Sequence, residues 1–298
     1  MADLITLSNP FVTASFSPGC GGAVTRLQVA GSSGWVDILR PATAAALVAN
    51  DPQGMACFTS LPYVSRLYQG RFDYDGATYH LPPNQPPSPH PLHGVIWRRP
   101  AEISHIARNK ISIRHDVDEA DMPYRFGSEQ VWTLADYIFH ISISVTNRGV
   151  KALPYGMGLH PFFRKTERVG VQAGVGAMVA NDVAVMPTHL QPLPLECDFS
   201  RRLQPLNALP FDNCFTGWSR QCTIIWPDLG VGLVMTATNP FGYFVLCNPA
   251  DADWFCANPV SHFNDAHNNR IGLAETGLVR LMPGESLYGE ITLRFHEL

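Results

Sequence analysis

Residues 141–146 read Ile-Ser-Ile-Ser-Val-Thr, and this alternation decides the fold class. Apolar and polar side chains that alternate with a period of two are typical of a β-strand with one buried face. The same alternation recurs at residues 111–114 and at residues 291–296. These stretches therefore predict half-buried strands spread along the whole chain.

Short turn sequences separate the predicted strands. Asp75-Gly76 stands between residues 71–74 and 77–80 and is a strong signal for a two-residue hairpin loop. Arg108-Asn109 precedes the strand at residue 111, and residues 227–230 (Pro-Asp-Leu-Gly) separate two further apolar runs. Neighbouring strands are therefore expected to pair antiparallel.

Helical patterns are scarce. Only residues 42–49, which are rich in alanine, could form about two turns, and no segment keeps an apolar spacing of three and four. An α/β sheet would need regular crossover helices, whereas 25 prolines and 24 glycines punctuate short strands here. We expect an all-β protein, a large antiparallel β-sandwich with few short helices, as a single domain over residues 1–298.

The composition limits the classes of partner. Hydrophobic residues make up 46% and charged residues 15% of the 298, which is enough to bury a sizeable core. The net charge of -4 and the lack of a Lys/Arg cluster argue against nucleic acid. No apolar run approaches the ~20 residues that cross a bilayer, and the N-terminus has no signal-peptide pattern. Nothing in the residues indicates an oligomeric state.

The seven cysteines are an odd number, and no two of them form a C-x-x-C pair. A zinc ribbon or a redox motif is therefore not supported, and reduced thiols in a cytoplasmic protein are the simplest interpretation. The glycine-rich stretches lack the strand-turn-helix context of a dinucleotide site, and no P-loop is present. We expect neither a metal nor a cofactor.

Two histidines follow a proline-rich loop at residues 81–91, in the sequence His90-Pro-Leu-His93-Gly94. A metal site is one interpretation, but no Cys or carboxylate nearby completes a ligand set. A neutral histidine that donates a hydrogen bond to a small polar ligand is a second interpretation, and a structural histidine is a third.

His160 lies in the sequence Gly158-Leu-His-Pro-Phe-Phe163. A histidine followed by a proline and two aromatic residues suits a sugar site, because sugar CH groups rest on aromatic rings while the imidazole meets a hydroxyl or ring oxygen. Histidine also exchanges protons readily near neutral pH. The alternative is a core histidine bonded to the backbone.

Two other polar segments could contribute to such a site. Asp212 lies among aromatic residues and could accept hydrogen bonds from two adjacent sugar hydroxyls, or it could open a loop as a turn residue. Residues 255–266 are polar and irregular, and we expect them to form a surface loop.

These segments together resemble the aldose 1-epimerase (galactose mutarotase-like) family, especially its bacterial members. Gly158–Phe163 matches the family's "GLHPFF" motif, and residues 62–67 its "PYSNRI"-like segment. His93-Gly94 matches its "HG" motif, Asp212 its "D..F" motif, and residues 281–285 its "L.PGE" motif.

The resemblance implies a β-supersandwich with a cleft for a free aldose, whose α and β anomers interconvert through a ring-opened aldehyde without a metal or nucleotide. It implies that His160 is the general acid, that His93 helps to polarise the ring oxygen, and that Arg66, His93 and Asp212 bind sugar oxygens.

One departure concerns the general base. The family's glutamate lies in a segment like "EPVTH.PDA", and here Asn258 occupies its position. An amide cannot abstract a proton, although Asn258 could hold the anomeric hydroxyl. Three functions therefore stay open: a mutarotase with a substitute base, a sugar-binding protein without catalysis, and a glycosidase, which would need two carboxylates about 5–10 Å apart. Four acidic residues near Asn258 in sequence are candidates for the substitute base: Asp251, Asp253, Asp265 and Glu275.

Overall fold

The strands of the chain form two large antiparallel sheets. A computed structural model describes residues 4–32, 34–119 and 122–298, and within them the strands form an 11-stranded sheet, a nine-stranded sheet and two two-stranded ribbons. The 11-stranded sheet, named the site sheet here, has these strands in spatial order: β1 (Ile5–Ser8), β2 (Val12–Ser17), β3 (Ala23–Gly31, which also pairs with β4, Gly34–Asp37), β5 (Cys57–Ser60), β13 (Gly158–Arg164), β22 (Trp254–Val260), β21 (Tyr243–Cys247), β18 (Asp212–Phe215), β15 (Met178–Asn181) and β16 (Pro187–Gln191).

The nine-stranded sheet, named the back sheet, has this order: β17 (Gln204–Pro205), β14 (Gly170–Ala173), β19 (Gln221–Trp226), β20 (Val231–Ala237), β24 (Ser286–Glu297), β11 (Ile138–Asn147), β10 (Phe126–Ala135), β9 (Lys110–Val117) and β8 (Glu102–Ala107). The two ribbons are β6 (Arg71–Tyr74) with β7 (Ala77–His80), and β12 (Leu153–Tyr155) with β23 (Val279–Leu281).

The main core lies between the two sheets. Phe16 of the site sheet contacts Trp132 and Phe139 of the back sheet, with ring centroids 5.6 and 6.4 Å apart, and all three side chains are buried. Ile141, the first residue of the alternating stretch, is fully buried in the same core. Burial of each such side chain contributes about 1.5–3 kcal/mol, so the period-two pattern is what holds the sheets face to face. The predicted β-sandwich is confirmed.

The predicted turns and the predicted helix are also present. Asp75 and Gly76 have φ angles of 47° and 74° and connect β6 to β7, as expected for a hairpin loop that needs two positive φ angles. The α-helix is Ala44–Ala49, where Thr43 accepts a hydrogen bond from the Ala46 N–H at the N-terminus. The remaining helical turns are 3₁₀ helices: Pro52–Gly54, Tyr68–Gly70, Ile96–Arg98, Leu195–Cys197 and Leu206–Ala208.

The prediction of a surface loop at residues 255–266 is wrong. Residues 255–260 belong to β22 in the middle of the site sheet, and Ser261, His262 and Asp265 after them are buried. The side chains of Ser261 and His262 are hydrogen-bonded to the backbone of neighbouring segments. His262 Nε2 accepts the Val64 N–H at 3.0 Å, and Ser261 Oγ accepts the Met157 N–H at 2.9 Å. Polar composition indicated solvent here, whereas the side chains bond to the backbone of neighbouring segments.

No helix among the described residues is long and apolar enough to cross a membrane.

Candidate active site

A cleft of about 250 Å³ lies on the face of the site sheet that points away from the back sheet. The strand period explains which side chains line it, because residues directly opposite each other on neighbouring strands share a face. One row across the floor runs over β18, β21, β22 and β13: Asp212, Cys247, Cys256 and Phe162. The next row, two residues along each strand, contains Cys214, Val245 and Asn258.

His160 continues this second row. β13 pairs with β22 at Gly158 with Val260 and again at Phe162 with Cys256, so His160 lies midway along the same interval as Asn258. Pro161 and Pro259 stand beside these two residues, and proline has no N–H to donate to a ladder. The two strands are therefore unpaired where His160 and Asn258 face the cleft.

Aromatic rings hold the His160 imidazole. The Phe58 ring stacks on it with centroids 4.6 Å apart and an interplanar angle of 16°. The His93 ring meets it edge-on at 5.0 Å, and Cys256 Sγ lies 3.9 Å from its Nδ1. His160 is half-buried and lines the cleft, so its ring is not enclosed in the core between the two sheets.

His93 presents a defined face to the cleft. Its Nδ1 accepts the Ser65 N–H at 3.1 Å, so the proton of the neutral ring lies on Nε2, where it can be donated to a ligand. The backbone there requires glycine at the next position, because a Cβ on Gly94 would lie 1.9 Å from the Leu61 carbonyl oxygen. Glycine at position 94 thus permits the turn, and the Ser65 N–H sets the tautomer of His93.

Asn258 is a buried polar group without a partner. Its side chain is 3% exposed and lines the cleft, and its Oδ1 accepts no hydrogen bond from the described residues. A buried acceptor left without a donor costs about 1–3 kcal/mol. A hydroxyl group bound in the cleft would satisfy it.

Arg66 and Asp212 are the charged side chains of the lining. Arg66 is half-buried, and within the described part of the chain no carboxylate or hydrogen-bond acceptor pairs with its guanidinium. Asp212 is exposed at the start of β18, and its carboxylate is likewise unpaired in that part of the chain. The structure therefore brings together all five residues singled out from the sequence: Arg66, His93, His160, Asp212 and Asn258.

The protonation state of the two histidines differs from the expectation of groups that titrate near neutral pH. Burial lowers the pKa of His160 to about 4; a hydrogen bond with its own backbone partly opposes this shift, and the positive charge of Arg40 adds a smaller lowering. Burial also lowers the pKa of His93 well below its usual range, with smaller contributions from His160 and Arg66. Both rings are neutral at pH 7 in the free protein.

No substitute base comes from the four acidic residues near Asn258. Among the described residues that line the cleft, Asp212 is the one carboxylate. Asp265 is instead held by the Tyr68 N–H at 2.9 Å and by an ion pair with Arg270 at 3.1 Å, and Glu275 lies along a different groove. Asp251 and Asp253 are also outside the lining.

Several residues of the site were not identified from the sequence. Phe58 supports His160, Trp254 contacts Phe162 edge-on at 5.0 Å at one wall, and His262 closes the floor with both ring nitrogens engaged. In the sequence, Phe58 and Trp254 have no feature that distinguishes them from other apolar strand residues. Only the pairing of β5 and β22 with β13 brings them to the cleft.

The neutral histidines make stability depend on pH. His115, His160 and His262 each have a pKa lowered by burial to about 4, from an ordinary value of 6.5. The unfolded chain therefore binds more protons between these values, and the free energy of unfolding should be constant above pH 6.5 and fall below it. We expect a loss of roughly 1–2 kcal/mol per histidine between pH 7 and pH 5. Urea unfolding at pH 7, 6 and 5 measures this, and equal midpoints at all three would contradict the assignment of buried neutral rings.

Comparisons with known proteins agree on one family. Residues 3–294 match the sequence profile described as aldose 1-epimerase. The chain is 31% identical over 247 residues, 80% of its length and 83% of the relative's, to YphB, an uncharacterized protein of Escherichia coli K12. The structure is similar to that of a candidate aldose 1-epimerase of Escherichia coli K12, with a TM-score of 0.89, 26% identity and full coverage of both chains. It shares its fold with a galactose 1-epimerase of Lactobacillus acidophilus NCFM, with a TM-score of 0.79, 13% identity, and 99% and 94% of the two chains covered.

Proposed function

Because the chain belongs to the aldose 1-epimerase family, we propose that it is an isomerase that interconverts the α and β anomers of a free aldose. The observation that carries the proposal is the row of groups on one cleft floor. An imidazole, His160, and an unpartnered buried acceptor, Asn258, lie side by side, while Arg66 and Asp212 supply unpaired charges to the same cleft. Such a set meets the ring oxygen, the anomeric hydroxyl and the remaining hydroxyls of one sugar.

The proposed reaction begins with the sugar ring closed. His160 in its protonated form gives a proton to the ring oxygen, and His93 Nε2–H donates a hydrogen bond to the same region. The anomeric hydroxyl donates its hydrogen bond to Asn258 Oδ1 and loses its proton to water, and the bond from C1 to the ring oxygen breaks. Rotation about C1–C2 and the reverse transfers close the ring to the other anomer.

Two features of the cleft predict a slow reaction. With a pKa of about 4, about one His160 in a thousand is protonated at pH 7. The position beside it carries an amide, and loss of a positioned base typically costs about 10²–10⁴-fold in rate. We expect the rate of anomer exchange to exceed the rate in buffer only modestly at pH 7. The enzymatic rate should increase as the pH falls from 7 towards 5, because the protonated fraction of His160 grows tenfold per pH unit.

A second function is favoured by the same amide. Since Asn258 cannot take a proton and Asp212 is the one carboxylate among the described residues of the lining, the cleft could hold a sugar without converting it. A glycosidase is less well supported, because it requires a second carboxylate opposite the first.

Polarimetry on freshly dissolved glucose, galactose and xylose, combined with calorimetry, separates the two functions. Mutarotation faster than in buffer supports the isomerase. Binding of sugar with a rotation rate equal to that of buffer would instead identify a sugar-binding protein.

Asp212 is expected to contribute to sugar affinity rather than to proton transfer. Hydrogen bonds to a charged group are worth about 1.5–3 kcal/mol, so Asp212→Asn should weaken sugar binding about tenfold or more in calorimetry. Asp251→Asn is the matched control, because Asp251 is exposed and outside the cleft lining. Equal affinities of the two variants would remove Asp212 from the binding site.

We further propose that the protein acts in the cytoplasm, which the odd number of cysteines, seven, supports.

A further inference from the structure

A second pocket adjoins the cleft, and the proposed function does not use it. It has a volume of about 290 Å³, close to the 250 Å³ of the cleft itself. Arg66 and Leu92 line both spaces. The backbones of these two residues pair with each other as an isolated antiparallel bridge, so this pair forms the boundary between the cleft and the second pocket, named the side pocket here.

The far wall of the side pocket is the proline-rich loop. Pro86 and Pro87 supply ring surfaces, while Gln85, Ser88 and His90 supply polar groups. A sugar ring combines apolar CH faces with hydroxyls that both donate and accept, and this mixed lining matches that combination.

The loop is held in place without any ligand. Asn84 closes its base with three hydrogen bonds: Nδ2 donates to the carbonyls of Leu92 at 2.7 Å and Gly94 at 2.9 Å, and Oδ1 accepts the Leu92 N–H at 2.8 Å. The Ser88 N–H donates to the Gln85 carbonyl at 3.0 Å within the loop. A wall that is already ordered adds little entropic cost when a ligand binds.

Three side chains that line the side pocket have hydrogen-bonding groups without a partner among the described residues. His90 stacks on Tyr68 and its Nδ1 accepts the Gln69 N–H at 2.9 Å, so the proton of the neutral ring lies on Nε2. Within the described residues neither His90 Nε2 nor the side chains of Gln85 and Arg66 have an internal hydrogen-bond partner. The Gln85 side chain also offers an acceptor oxygen, which an anion would not use but a hydroxyl group would.

We propose that the side pocket is a subsite for a second sugar residue, so that the preferred ligand is a reducing disaccharide. This inference rests on the proposed function, since the reacting end must lie at His160. Its anomeric carbon must stay free there, so the second residue is attached through another hydroxyl of the first sugar and passes over Arg66 into the side pocket.

Calorimetry and anomer exchange by NMR test this with sugars that share the reducing unit and differ in the second unit and its linkage. Maltose, lactose and melibiose all carry glucose at the reducing end, so glucose is their common reference. We expect at least one of them to bind about tenfold more tightly than glucose. Gln85→Trp, which fills the side pocket, should abolish this advantage and leave the affinity for glucose unchanged. Gln221→Trp is the control, because Gln221 is an exposed residue on the back sheet.

The outcomes separate the subsite from the proposed function. A disaccharide preference that is lost in Gln85→Trp, without any exchange above buffer, would support the subsite while the isomerase proposal fails. Equal affinities for glucose and all three disaccharides would overturn the subsite, as would a preference that Gln85→Trp retains. Tighter binding of glucose 6-phosphate than of every disaccharide would overturn it too, in favour of an anion pocket.

Discussion

Replacing Asn258 with glutamate is expected to raise kcat/KM for anomer exchange about 10²–10⁴-fold, the range that a positioned base contributes. The residue lies beside His160 on the cleft floor, and a carboxylate there would take the proton of the anomeric hydroxyl directly. It would also favour the protonated form of the neighbouring imidazole, because an opposite charge within a few ångström stabilises it. The pKa of His160, about 4 in the native chain, should rise. NMR titration of His160 provides this second readout.

Asn258→Gln is the matched control, because it has the length of glutamate without the charge. Exchange rates should stay at the native level or below it in this variant. If the glutamate and glutamine variants show the same exchange rate while both bind sugar, Asn258 does not occupy the base position.

Replacing His160 with glutamine should reduce anomer exchange to the rate in buffer. His160 is the group proposed to protonate the ring oxygen, and glutamine retains a hydrogen-bond donor but cannot transfer a proton. The rate of anomer exchange above buffer should be at least 10²-fold lower in the variant than in the native protein. The substitution should leave sugar affinity within a few-fold, because Arg66 and Asp212 remain.

The control for this variant is His105→Gln on the exposed edge strand β8, which should exchange anomers at the native rate. A His160→Gln protein that keeps the native rate and the native pH dependence would assign the acid to another residue. His93, whose Nε2–H also faces the cleft, would then be the next candidate.

Much of the fold follows from local patterns. The alternation at residues 141–146 has one physical solution, a strand with a buried face, and Asp75-Gly76 has few alternatives to a tight hairpin. The order of strands within the site sheet, in contrast, does not follow from local patterns. It places β5, β13 and β22 side by side although 97 residues lie between β5 and β13 and 89 between β13 and β22, and no local signal specifies those pairings.

The site was predictable to the extent that its residues sit in unusual sequence contexts. His160, His93 and Asp212 stand next to glycine, proline or aromatic residues, and the structure brings all three to one cleft. Residues 255–260 were misjudged because polarity was taken as exposure, while the strand they form is buried on both faces apart from the cleft. The lowered pKa of His160 could not be foreseen either, since it arises from burial beneath Phe58 and Phe162, whose rings reach it from β5 and from its own strand.

A crystal structure with a bound aldose tests most directly whether this cleft holds the anomeric carbon between His160 and Asn258. We predict that the ring oxygen lies within hydrogen-bond distance of the His160 imidazole and that the anomeric hydroxyl donates to Asn258 Oδ1, with Arg66 and Asp212 on the remaining hydroxyls. A sugar bound with its anomeric carbon turned away from His160 and Asn258, or bound outside this cleft, would contradict it.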